Sequence, residues 1–534
     1  MSTHRPTIAA RHGMVAAAHP LAVAAGARML AQGGTAFDAA ASVGAMLNVV
    51  EPFMSGLAGL GLATMWVAAE QRVRVLDFVP AIPASFPAER FSARQELERG
   101  PLSVASPGNL AGWCELVRCY GRLKLADIFA PAAEVAEDGF ALLEFGALEF
   151  AEQARAMAGW PALHPSWHET YGAHGTAAAV GSVIRQPDLA RTLASLGAEG
   201  PDLLYRGALG EAVTAYVQSL GGTLSMADLA AVKPVWQEPA AVSYRGRLVH
   251  LPPPPCEGFQ VLLALRMLDA VDLAGMSRNG VEHLDVVLRA IRLAAGLRIA
   301  HNNPSPAKLA ELLSDTAIAA CVARLRDGAP IEGPTEQWMA PPAEPVLPLN
   351  TTSFSIADRF GNLVCVTQSL GSPFGSGVVV PGTGLCLNNF LYWADVQTGS
   401  PNRAVPGDAL PICMAPTISL MDGEPVLALG TPGSYGILQT QVQAMVQHFD
   451  HGLPIQHAIE APRARLMDGR TVLLENRIAA STVEALVARG HAASHIGADW
   501  TMKVGGMQAI ARDPLTGVLT GAADPRRDGH VAVP

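Results

Sequence analysis

The chain is 534 residues long, half of them apolar and 16% charged, with a net charge of −10. That balance excludes an intrinsically disordered chain and supplies enough apolar material for a large core. It also excludes nucleic acid as a partner, because no basic surplus exists to neutralise phosphates.

From the N-terminus, MSTHRPTIAARHGMVAAAHPLAVAAG sets basic residues before a run of alanines, as an export signal does. His12, His19 and Pro20 interrupt that run, and the alanine pattern carries on into a helix. No uninterrupted apolar stretch approaches the roughly 18 residues of a membrane span, so no membrane partner is expected. The seven cysteines, at 114, 119, 256, 321, 365, 386 and 413, form no C-x-x-C pair and are odd in number. Reduced thiols in a cytoplasmic protein are the expectation, with no metal, no cofactor and no disulfide framework.

PLAVAAGARMLAQGG predicts a helix opened by Pro20 and stopped at Gly33-Gly34. TAFDAAASVGAMLNVVEP predicts a second, capped by Thr35 and ended before Pro52. Glycines 56, 59 and 61 follow, then two short strands ending in LDF. These glycines come after a helix, where a dinucleotide fold would put a strand, so close backbone approach inside a core is the reading. Residues 105–300 read as mainly helical, with helices over 131–142, 186–200, 209–222 and 258–271 and a Ser225 cap three residues before Asp228. Among them, AVSYRGRLVHL reads as a strand running into four prolines. Five prolines between 333 and 350 predict an exposed loop or flap. Thr351 to about Gly384, and Ile418 to Leu429, alternate like strands; helices follow over 437–449 and about 480–489. Helices with hairpins predict an α+β fold, two antiparallel sheets between helical layers.

TTSFSIAD, RFGN and LVCVTQSL make a hairpin that begins with two hydroxyls directly after the proline-rich loop. Threonine favours strands, and on the hairpin alone that preference accounts for Thr351-Thr352. The pair also admits a chemical reading. A threonine hydroxyl holds its proton at neutral pH, but an α-amine on the same residue, with a pKa of about 7.7–8.0, can take that proton. To expose the amine, the Asn350–Thr351 bond must be cut. The Thr351 hydroxyl attacks the Asn350 carbonyl, the acyl group moves from nitrogen to oxygen, and water hydrolyses the ester.

Downstream, FGSGVVVPGTGLCLNNF, MAPTISL and LGTPGSYG follow in order. With Thr351-Thr352 they resemble the γ-glutamyltransferase family of N-terminal-nucleophile hydrolases. The likeness extends to GMVAAAHPLAVAAGARMLAQGGTAFDAA, SPGNLAGW, YGRLKLADIFAPAAEVAEDGF, GGTLSMADLAAV, PPPPCEGFQ and GAADPRRDG, in order over nearly the entire chain. The resemblance implies a four-layer αββα sandwich. It implies cleavage after Asn350 into a large subunit, residues 1–350, and a small one, residues 351–534, intertwined as one unit; a dimer of such heterodimers is left open. Thr351 then matches the nucleophile. Ser369 matches a threonine that hydrogen-bonds near it and helps maturation. Gly433 and Ser434 match a glycine pair whose N–H groups form the oxyanion hole. A Pro-Gly turn opening a helix aims unpaired N–H groups outward in any case, and a serine keeps its amide.

The departures cluster at the family's glutamate clamp. Val79 stands where an arginine is expected, and Phe390 and Trp393 where polar partners of the α-amino group are expected. Gly371 replaces an asparagine, Ile412 and Cys413 replace a serine pair, and Ser353 a frequent histidine. A carboxylate without its arginine fork loses a charge-assisted pair. The expectation is therefore a self-processing amidohydrolase of a small linear amide whose acyl group is not γ-glutamyl. Its pocket would be lined by Val79, Gly371, Phe390, Trp393, Ile412 and Cys413, resembling cephalosporin-acylase-like or oxamate-amidohydrolase-like members. Two alternatives stand beside it: a true glutathione hydrolase with a clamp rebuilt from Arg72 or Arg74, and an unprocessed, non-catalytic binding protein. Other motifs carry less. His301-Asn302-Asn303-Pro304 reads as a turn, His168-Glu169 lacks the H-E-x-x-H spacing, GTPGSYG is not G-x-S-x-G, and Cys413 is a poorer nucleophile candidate than Thr351.

Overall fold

The computed structural model describes residues 5–160, 163–328, 351–397, 400, 403–467 and 471–534. Asn350 and the proline-rich stretch from 333 to 350 lie outside the described residues.

The first two helices form where their caps predict. Pro20–Ala31 is opened by the His19 ring, which accepts from the Leu21 amide at 3.2 Å. Ala36–Val50 starts on a capping box in which the Thr35 hydroxyl and the Asp38 carboxylate bond each other's backbone amides. Every residue of that second helix is buried. Its alanines and Gly44 make this feasible, since a Cβ on Gly44 would stand 2.7 Å from the Trp113 ring. A helix apolar all round belongs inside a large core, and this one lies between a sheet and further helices.

Among the described residues, two seven-stranded sheets dominate. One runs Ile8–Ala10, Leu519–Ala523, Gln508–Arg512, Glu424–Gly430, Thr417–Met421, Arg247–Leu251, Ala240–Tyr244. The other runs His530–Ala532, Met14–Ala17, Thr352–Ala357, Leu363–Ser369, Leu60–Val67, Arg72–Asp77, Val235–Gln237. Pairing within both is antiparallel. Met14, Ala16, Ala357 and Cys365 of the second sheet share an apolar cluster with Ile418, Ala428 and Ile510 of the first, so the sheets pack face to face. The outer face of the second is covered by helices including Pro20–Ala31 and Ala36–Val50, and that of the first by Phe259–Asp269, Val281–Ala300 and Ile437–Phe449. The result is the four-layer αββα sandwich. Segments before and after residue 350 interleave in both sheets; Ser355, for instance, pairs with Ala16.

Several expectations need adjustment. AVSYRGRLVHL is not one strand but a hairpin, Ala240–Tyr244 with Arg247–Leu251. Its turn residues, Arg245 and Gly246, have φ of 50° and 73°. Arg245 holds that conformation because Asp450 takes its Nε at 2.6 Å and Asp269 its backbone amide at 2.9 Å. The helix expected from Pro131 begins earlier, at Leu125, and runs to Asp138 with Pro131 inside it. Burial of Ile128, Phe129 and Ala132 outweighs the hydrogen bond that proline cannot donate. The glycines after the second helix do allow close approach: a Cβ on Gly59 would lie 2.1 Å from the Ser369 carbonyl, and one on Gly61 2.6 Å from that of Thr367. Among the described residues, no helix is long and apolar enough to cross a membrane.

Candidate active site

Thr351 is buried immediately before the strand Thr352–Ala357, with φ of 92°. A β-branched residue there is an outlier that costs about 1–3 kcal/mol. Its neighbours over-determine the position. The Thr352 hydroxyl donates to Glu51 Oε2 at 3.1 Å, and Arg527 donates to Glu51 Oε1 at 2.5 Å. Glu51 follows directly on the buried helix Ala36–Val50, so that helix fixes where the strand begins. Thr352 pairs with Gln368, which puts Ser369 across from Thr351 one step further along the ladder. The Ser369 hydroxyl accepts the Gly371 amide at 3.0 Å.

Alternation along the strand sends Ser353 to the face between the sheets. Its hydroxyl meets the Val366 carbonyl at 2.8 Å and Thr367 Oγ1 at 3.1 Å. A Cβ on Gly430 would come 1.9 Å from Ser353 Oγ, so the end of Glu424–Gly430 lies against the start of Thr352–Ala357. The turn Thr431-Pro432-Gly433-Ser434 leaves from this contact. Gly433 has φ of 127° and Ser434 of 55°, and a short 3-10 turn, Ser434–Gly436, leads into Ile437–Phe449. Neither the Gly433 nor the Ser434 amide donates a hydrogen bond within the described residues. Two buried amides left open at a helix entrance are the donors an oxyanion needs, each typically worth roughly 3 kcal/mol of barrier.

The turn is braced from behind. The Gly506 amide donates to Thr431 Oγ1 at 3.2 Å, and Gly505 Cα lies 3.5 Å from the Cβ position of Gly433. Arg463 holds the Gly505 carbonyl at 2.9 Å and Asp524 at 2.6 Å. Arg526 joins Asp524 at 3.0 Å and Glu475 at 2.6 Å, all four side chains being fully buried. Burial alone would raise the Asp524 carboxyl, but Arg463 and Arg526 overcome it and hold the group at about 2. On the other flank, Arg298 stacks over the Tyr435 ring at 4.4 Å while paired to Glu257 at 2.6 Å.

Four of the expected pocket residues, Val79, Phe390, Trp393 and Ile412, meet in one apolar cluster with Leu60, Leu62 and Cys256. Cys413 lies in the neighbouring cluster, against which Trp393 also packs. Strand-like alternation turns Cys413 there, with Tyr435 and Ile437 under the helical layer. Gly371, at φ of 100°, lies beside Trp393; a Cβ there would be 3.4 Å from Trp393 Nε1 and 2.2 Å from Asn389 Oδ1. Asn389 is itself committed, accepting from the Ser372 amide at 2.7 Å and donating to the Glu98 carbonyl at 2.8 Å. Asn388 donates to the Ala58 and Ala105 carbonyls, both at 2.8 Å. Gly371→Ala is accordingly expected to lose about 1–3 kcal/mol from φ alone, more once the clash is added; chemical denaturation of the purified variant reads the loss.

Arg72 and Arg74, the residues from which a substitute clamp was expected, lie on the strand Arg72–Asp77. Both pair with Glu70, at 2.9 and 3.0 Å, and Arg74 stacks on Trp236. The reading from sequence missed Asp77, whose carboxylate accepts the Val79 amide at 2.8 Å. Burial pushes it up to about 6 against the pull of that amide and of Gln237. It also missed Glu51, Arg527 and the Arg463–Asp524–Arg526–Glu475 group. The DPRR tetrapeptide was a visible signal for part of the last, since adjacent arginines beside an aspartate in an apolar chain require buried partners.

A family model described as gamma-glutamyltranspeptidase matches residues 22–533. The acylase ACY 1 proenzyme of Pseudomonas sp. (strain SE83) is 34% identical over 97% of this chain and 92% of its own length. The oxamate amidohydrolase proenzyme of Klebsiella pneumoniae subsp. pneumoniae is 30% identical over 98% of both chains. The crystal structure of cephalosporin acylase from Bacillus halodurans superposes with a TM-score of 0.90 at 30% identity, covering 100% of this chain and 98% of that one.

Proposed function

Because the chain belongs to the gamma-glutamyltranspeptidase family, and is thus an N-terminal-nucleophile enzyme acting on amide bonds, we propose that Thr351 is its nucleophile and that its acyl group is not γ-glutamyl. The observation that carries the reading is the meeting of Ser353 with Gly430. It brings the strand that starts after Thr351 against the strand that ends before the open amides of Gly433 and Ser434.

In the first step the Thr351 hydroxyl adds to the Asn350 carbonyl, the amide becomes an ester, and water splits it. This leaves residues 1–350 and 351–534 as two subunits of one precursor. The strained φ of Thr351 in the uncut chain favours this step, because cleavage removes the peptide unit that defines it. In turnover the freed α-amine takes the hydroxyl proton as the oxygen attacks the substrate carbonyl. The oxyanion sits against the Gly433 and Ser434 amides, the amine leaves with the proton, and water, deprotonated by the same α-amine, releases the acyl group. Ser369, one ladder step beyond the Thr352–Gln368 pair, serves in this reading as a hydrogen-bonding support for the nucleophile.

The acyl assignment rests on Val79 lying in an apolar cluster while Arg72 and Arg74 are spent on Glu70. Hydrolysis of γ-glutamyl-p-nitroanilide is expected to run at least about 100-fold below the best simple acyl-p-nitroanilide, the loss of roughly 3 kcal/mol that an unpaired carboxylate implies. Equal rates would instead favour a glutathione hydrolase. Intact-mass analysis tests the nucleophile: two masses, breaking at 350/351, are expected, and a single uncut chain in active material would overturn it.

A further inference from the structure

The structure also carries information about the acyl group itself, and this inference rests on the reading just given. Trp393 Nε1 is buried and has no hydrogen-bond partner among the described residues. An indole N–H left so is expensive unless something arrives to accept from it. Its surroundings offer nothing. Trp393 packs between the apolar cluster that holds Val79, Phe390 and Ile412 and the one that holds Cys413 and Tyr435; its ring lies 6.1 Å from the Tyr435 ring and has the Arg94 guanidinium 5.6 Å from its centroid. On the side of the nucleophile, Nε1 faces Gly371, whose Cβ position would be 3.4 Å away and which has no side chain to accept a proton. Gly371 is bonded to Ser369, and Ser369 is across the ladder from Thr351. Asn389 Oδ1, which lies beside Gly371 on that wall, accepts the Ser372 amide.

We propose that Trp393 is a specificity-determining residue, its indole N–H reading a neutral hydrogen-bond acceptor, a carbonyl-type oxygen, on an otherwise apolar acyl chain. Val79, Phe390 and Ile412 select the hydrocarbon portion. The indole selects the single oxygen, and a chain without it leaves the donor buried and unpaired. A charged carboxylate end is disfavoured, since Arg94 is stacked on Tyr392 and Trp393 and bonded to the Tyr392 carbonyl rather than presented to the cluster.

The test compares p-nitroanilides of hexanoic acid, its oxo derivatives with the ketone at successive carbons, and glutaric acid. In the unmodified enzyme one oxo isomer is expected to exceed hexanoyl in kcat/KM by roughly tenfold or more, the penalty of an unmet buried donor. In Trp393→Phe that ratio is expected to fall to near one, and Trp393→His, which keeps a ring N–H, to retain part of it. The inference is overturned if no oxo isomer is preferred, if the ratio survives in Trp393→Phe, or if the glutaryl anilide is the best substrate. Thr351-dependent hydrolysis of any of these anilides tests the underlying reading separately. Were turnover absent, the same ratio read from calorimetric dissociation constants decides the pocket, and equal affinities would refute it.

Discussion

Thr351→Ala is expected to leave the protein as a single chain of 55.7 kDa on a denaturing gel and to lower amide hydrolysis by about 10^4-fold or more. The size of the effect follows from the double use of one residue. On the proposed mechanism, alanine removes the oxygen that would attack the Asn350 carbonyl, so the α-amine would never be freed, and it removes the oxygen that would attack substrate. The open amides of Gly433 and Ser434 remain, and they account for whatever activity survives. Thr351→Ser separates the two uses. It keeps the oxygen and relieves the β-branch at φ of 92°, so it is expected to mature and to turn over more slowly. In the mature enzyme kcat/KM should rise with pH through the α-amine's range, about 7.7–8.0 when unperturbed, because only the neutral amine accepts the hydroxyl proton. A pH profile with no such limb would count against the α-amine as base.

Arg526→Ala is expected to lose about 3–5 kcal/mol of stability, the price of stranding buried carboxylates. Arg526 touches Glu475 through both oxygens, at 2.7 and 2.6 Å, and Asp524 at 3.0 Å, and donates to the Ile459 and Ala461 carbonyls at 2.9 and 3.0 Å. All three of these side chains, Arg526, Glu475 and Asp524, are fully buried. The loss extends to the site, since Asp524 holds Arg463 and Arg463 holds Gly505 behind Gly433. Stability against pH carries the same signature. Asp524 is held at about 2 against an ordinary 3.8, so its contribution is present in full above 3.8 and disappears as the pH falls through 2. In Arg526→Ala this acid-side loss should shrink, because one of the two guanidinium groups that depress the carboxyl is gone. Denaturation midpoints between pH 5 and 2 for both proteins measure it; equal slopes would contradict the assignment.

Much of the frame is local and so could be read along the chain. The helices Pro20–Ala31 and Ala36–Val50 are set by caps within three residues of their starts. The hairpin of Thr352–Ala357 with Leu363–Ser369 is set by alternation and a short turn. The hairpin at Arg245-Gly246 was not readable, because its left-handed arginine is held by Asp450, some 205 positions away in the chain. Which clusters Ile412 and Cys413 enter was not readable for a related reason. Adjacent residues on an extended segment face opposite ways, and which way is decided by the layers that close over them.

The order of residues by itself determined that a threonine follows a proline-rich loop, that a Pro-Gly turn opens a helix about 80 positions later, and that an apolar residue, Val79, follows LDF. Those are facts of residue type and spacing, and residue type fixes which chemistry is available. Only the packed layers decided that Gly430 lies against Ser353, that Glu51 and Arg527 seat Thr352, and that the Trp393 indole finds no acceptor among the described residues. Each depends on side-chain direction and on contacts between distant segments. Those are set by the requirement that every face of both sheets be covered and every buried charge be paired, a condition on the whole chain rather than on any stretch of it.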